Sequence, residues 1–124
     1  MVDRDARRSL ALTLRRFGAG RITSHELDCA LPARSRDRGV RAIAHAVDWA
    51  IEDFRGYPNS TGHEELTADD RSLWMRSVLF LHSGREYRWR FTSRGDAAAW
   101  PFFSLAEFEN ARQNPQYLAG RSGS

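Results

Sequence analysis

Lysine is missing from this chain: all 19 basic residues are arginine, set against 16 acids, for a formal net charge of +3. Codon bias in a GC-rich bacterial genome accounts for that without any function. Bidentate contact to phosphate or carboxylate, which lysine cannot make, is the other reading. Cysteine is nearly missing as well. Cys29 stands alone, which excludes an intrachain disulfide and fits a cytoplasmic home. The acids of Glu26-Leu27-Asp28-Cys29 do not favour a thiolate, so Cys29 is expected as a small buried apolar residue. Long apolar runs are absent. The longest, residues 77–81, falls far short of the ~20 residues a bilayer span needs. The charged start, Met1 to Arg8, has no apolar run after it and does not read as a secretory signal.

Catalytic and metal motifs are absent too. His25, His45, His63, His82 and Cys29 do not fall at the spacings of zinc sites, and His63-Glu64-Glu65 lacks the second histidine of a zinc protease motif. No nucleophile elbow or phosphate-binding glycine loop follows a strand. Asp69-Asp70 and Glu64-Glu65 are adjacent pairs, which diverge on a helix. These gaps predict a non-enzyme with no cofactor and no metal.

What is present is mostly helical pattern. Ala6, Leu10, Leu14 and Phe17 make one face of a helix over 3–17, with acids at its start, arginines at its end, and Gly18-Ala19-Gly20 to stop it. Thr23-Ser24-His25-Glu26 is a capping box opening a short helix to Leu31. Val40, Ile43, Ala44, Val47, Ile51 and Phe54 mark a third helix, with Trp49 at the border of its two faces. Thr67-Ala68-Asp69-Asp70 caps a fourth, over 68–82, whose second half is apolar nearly all round and therefore central and buried. Ser104-Leu105-Ala106-Glu107 opens a last helix to about Gln113.

Between these, the period changes to two. Tyr87, Trp89 and Phe91 alternate with Glu86, Arg88 and Arg90, a half-buried strand signal. Its partner is expected within 99–103, where Pro101 restricts pairing to an edge, or in a second copy of the chain. The predicted fold is therefore mainly α with a small β element (α+β). Four to five helices surround the 68–82 helix, with a hairpin or ribbon near 86–103. It forms a single domain over 1–118, with a disordered tail at 119–124.

Charge is segregated. Residues 1–41 carry ten arginines and five acids, residues 42–70 one arginine and seven acids, and residues 71–124 eight arginines and four acids. Together with the aromatic content, this predicts a small cytoplasmic bacterial protein that binds another protein, of immunity, antitoxin or adaptor type. The alternative is a nucleic-acid-binding regulator with an arginine-rich strand surface. The expected contact residues are Arg85, Arg88, Arg90 and Arg94, with Trp100 and Phe102. The strand edge would also offer a homodimer contact, and no membrane partner is expected.

Three stretches carry a resemblance: residues 15–23 (Arg-Arg-Phe-Gly-Ala-Gly-Arg-Ile-Thr), residues 79–89 with Glu86-Tyr87-Arg88-Trp89, and Trp100-Pro101-Phe102-Phe103. Together they resemble a family of small bacterial proteins of unknown function. In that family the tryptophan of the strand is often followed by proline, where this chain has Arg90. The resemblance implies no activity and no site residues.

Overall fold

Short polar side chains start each helix by accepting hydrogen bonds from backbone amides that no helical carbonyl can reach. In the computed structural model, which describes residues 2–32, 34–52, 61, 62, 66–89, 95 and 97–114, five α-helices begin this way. Asp3 caps α1 (Arg4–Gly18), accepting from the Ala6 amide at 3.0 Å. Thr23 caps α2 (Ser24–Ala30), and Glu26 accepts from the Thr23 amide in return. Asp37 caps α3 (Arg38–Ala50), Thr67 caps α4 (Ala68–Ser83) and Ser104 caps α5 (Leu105–Arg112). Left-handed glycines close two of the helix ends. Gly20, with φ 77°, follows α1, and Gly84, with φ 71°, ends α4. An L-residue would be strained at either position.

The core forms where α4 packs against α1, α3 and α5, while α1 also packs on α2 and α3. Leu10, Leu14 and Phe17 of α1 meet Val40, Ile43 and Val47 of α3 and Leu79 and Phe80 of α4. The second half of α4, residues 77–82, is buried throughout. No helix among the described residues is long and apolar enough to cross a membrane.

The expected small β element is not found among the described residues. The described fold is all-α, with no strand among the described residues. The side chains of 86–89 do alternate, with Tyr87 and Trp89 half-buried and Glu86 and Arg88 exposed. The carbonyls of this segment, however, are met by arginines from helices. Arg7 of α1 donates from Nη1 to the Arg85 carbonyl at 2.6 Å, and Arg38 of α3 donates from Nη2 to the Trp89 carbonyl at 2.7 Å. The expected partner segment also turns on itself. Ala97–Ala99 is a 3₁₀ helix, and the Phe102 amide bonds back to the Ala99 carbonyl at 2.8 Å. Among the described residues there is no strand edge to support the homodimer contact expected there. The expected tail, 119–124, lies outside the described residues, as do His63 and Phe54.

Candidate functional site

Of the four arginines expected as contact residues, Arg85 and Arg88 lie among the described residues, and both are engaged within the chain. Arg85 and Arg88 both pair with Glu107 of α5, Arg85 at 3.4 Å, and Arg88 also lies over the Phe103 ring at 4.7 Å. Glu107 is the acid expected to reach back in the capping box, but Ser104 keeps only its own half of that box, accepting from the Glu107 amide. Arg90 and Arg94 lie outside the described residues.

Phe102 is 0% exposed, between Phe80 and Phe108 at ring centroid distances of 5.5 and 5.8 Å. It is a core residue. Trp100 is half-buried and donates from its indole to the Tyr87 hydroxyl at 2.9 Å, and its carbonyl accepts from Arg76 at 2.8 Å. Trp89 donates in the same manner to the Phe102 carbonyl at 3.1 Å. Tyr87, Trp89, Trp100 and Phe102 thus tie residues 87–89 and 100–102 to each other and to Phe80 of α4. Burial raises the Tyr87 hydroxyl above its ordinary value, and the Trp100 hydrogen bond and Arg38 only partly offset this.

An ion pair missed by the sequence reading sits at the centre of this junction. Arg7 projects from the apolar face of α1, not away from it, and is 1% exposed. Its Nε lies 2.6 Å from one Asp37 oxygen and its Nη2 3.2 Å from the other, while its guanidinium stacks 4.9 Å from the Phe80 ring centroid. Asp37 also accepts from the Asp3 amide at 2.9 Å and the Gly39 amide at 2.9 Å. Burial alone would push the Asp37 carboxyl up. The Arg7 hydrogen bond and charge and the two amides outweigh it and hold the carboxyl below its ordinary value. Gly39 is required by the close packing, because a Cβ there would meet Phe80 at 2.9 Å and Arg7 at 3.2 Å. Two signals were present in the sequence. Arg7, Leu10 and Leu14 share helical spacing, and Asp37 precedes Gly39-Val40 as an N-cap does.

The open positive charge lies on α1. Arg4, Arg8 and Arg16 are exposed, as is Arg21 beyond the helix, and their side chains make no hydrogen bond or ion pair among the described residues. Leu12, 47% exposed, sits among them. Beside this face a groove of about 370 Å³ runs between α1 and α4. Leu14, Trp74, Met75 and Val78 line it with apolar atoms, and Arg15 and Arg71 also line it. The Trp74 indole Nε1 is buried with no partner, and so is His82 Nε2 at the far end of α4. Burial holds His82 below its ordinary value, and the charges of Arg15 and Arg8 add to that.

A second groove, about 470 Å³, lies between α2 and α3 with both signs of charge in its lining, among them Asp28, Arg41, His45 and Asp48. Two exposed side chains stand near these helices, of which Cys29 departs from the expectation of burial. Trp49 is 74% exposed on α3, and Cys29 is exposed, with its sulfur 3.7 Å from His25 Nε2. An exposed thiol one turn from a histidine does not serve as apolar filling. No group of three or more His, Cys, Asp or Glu side chains able to hold a metal exists among the described residues.

Compared with protein-family models, with curated proteins and with solved structures, the chain matches none.

Proposed function

We propose that this chain is a non-catalytic cytoplasmic bacterial protein that works by binding another protein, in the manner of an immunity protein, antitoxin or adaptor. The carrying observation is the contrast between two sets of arginines. Those of the 85–89 segment are matched internally by Glu107. Those on the outer side of α1, Arg4, Arg8 and Arg16, have no partner among the described residues and surround the exposed Leu12. Uncompensated arginine around an apolar residue suits an acidic protein surface, because arginine forms bidentate carboxylate contacts and tolerates desolvation better than lysine.

The test is affinity capture from the source cells with the native chain and with Arg4→Glu/Arg8→Glu/Arg16→Glu. These substitutions lie at exposed sites and should change stability by no more than about 0.5 kcal/mol. A protein held in stoichiometric amount by the native chain and lost by the triple variant supports the reading. Retention that disappears on nuclease treatment overturns it in favour of nucleic acid.

A further inference from the structure

We infer that the outer face of α3 is a self-association surface, on which a second copy of this chain packs antiparallel through Arg41, Trp49 and Glu52. This goes beyond the protein-binding reading, which rests on α1. Arg41, His45, Trp49 and Glu52 recur at four, four and three residues and are all exposed, so they share one side of the helix. Trp49 is 74% exposed, the most of any large hydrophobic residue among those described. Tryptophan and arginine are among the residues that dominate interface energies.

The charges around Trp49 identify the occupant. Arg41 stands at the start of α3 and Glu52 just past its end, and neither makes a side-chain hydrogen bond or ion pair among the described residues. Arg34 and Arg36, both exposed, lie before the same start. The first turn of α3 holds no acid and the last turn no base. This order runs against the helix dipole, which favours acids at the start and bases at the end, so it gains nothing within the helix. An antiparallel neighbour with the same order reverses both the charges and the dipole. An acidic partner would satisfy Arg41 and oppose Glu52, and a basic one would do the converse. A second copy satisfies both at once, as the matched patches of a twofold interface require.

The register follows from the spacing. A twofold axis between Ala46 and Val47 sets Arg41 of each copy level with Glu52 of the other, because the two residues stand equally far from that point. Ala42 lies seven residues before Trp49, on the same side of the helix, and is half-buried. In this register Trp49 of one copy comes beside Ala42 and His45 of the other, and the small side chain of Ala42 leaves room for an indole. The helix has 13 residues, a length of about 20 Å. A contact of that length is smaller than a standard interface of about 1,600 Å², so the dimer belongs to the weak class and forms at high protein concentration.

Sedimentation equilibrium on the full chain, from about 10 μM to about 1 mM, is the test. The native chain should be a monomer at the bottom of that range and a dimer at the top. Trp49→Ser, Arg41→Glu and Glu52→Arg each alter an exposed side chain, and each should weaken association by about tenfold or more. Arg41→Glu sets acid against acid at both symmetric contacts, and Glu52→Arg sets base against base. An equimolar mixture of these two variants joins opposite charges at both contacts and should recover association to within about threefold of native. That recovery cannot come from a variant that has lost its fold. The Arg4→Glu/Arg8→Glu/Arg16→Glu chain should dimerise as the native chain does. A native chain still monomeric at about 1 mM overturns the inference. So do unchanged association in Trp49→Ser or in both charge variants, a mixture no tighter than its components, or loss of the dimer in the α1 variant. The protein-binding reading stands or falls separately, on capture through α1.

Discussion

Arg7 and Asp37 show how much one pair of residues holds together here. A buried ion pair contributes little net stability against a well-packed apolar alternative, but removing one member strands a charge, at a cost of about 3–5 kcal/mol. Arg7→Ala and Asp37→Ala should each lower the unfolding free energy measured by urea titration by an amount in that range. The double variant should cost clearly less than both together, and additive losses would mean the pair is not coupled. Acid acts on the same pair. The Asp37 carboxyl is lower in the folded state than its ordinary value of 3.8. The unfolded chain therefore takes up the proton first, and the stability from Asp37 is complete above pH 3.8 and lost as pH falls below it. His82 has the same sign higher up. Its folded value lies below 6.5, so stability falls as pH drops below 6.5. His82→Gln should remove that upper limb of the midpoint-against-pH curve and leave the Asp37 limb in place. None of this was evident from charge alone. Arg7 reads as one more surface arginine until its spacing to Leu10 and Leu14 is weighed. Phe102 was misjudged in the same direction, as a contact residue although it is buried, because aromatic character does not say which side of a turn faces water.

At the level of elements, the sequence was most informative where the chemistry is local. Thr23, Thr67 and Ser104 mark their helices because a cap and its amides lie within three residues of each other. The segment 85–89 was misread because a period of two reports side-chain alternation and is silent about what meets the carbonyls. Here the answers come from Arg7 and Arg38, 78 and 51 residues away, and no local pattern encodes them. Arg38 also lies over the Tyr87 ring at 5.7 Å. Arg38→Ala should therefore loosen 85–89 selectively. Amide exchange there should quicken while α1 and α4 keep their protection. Uniform acceleration across all helices would mean that Arg38 serves global stability instead.

For the whole molecule, the sequence conveyed charge segregation and the central helix, but not which arginines remain open. Among the described residues, Arg71 and Arg76 are engaged by backbone carbonyls and Arg85 and Arg88 by Glu107, while the basic block at the start of the chain supplies the exposed side of α1. The groove beside α1 was not legible either, because it depends on how two helices 50 residues apart in the chain lie against each other.

The Arg7 clamp also bears on how fast the molecule comes apart. It joins segments separated by 30 and by 78 residues, so it is complete only after the chain beyond α4 has returned to meet Arg7. Contacts made that late are absent from the barrier-crossing ensemble. Arg7→Met should leave the refolding arm of a chevron plot nearly unchanged. Its effect should appear as faster escape from the native state, about tenfold for each 1.4 kcal/mol lost.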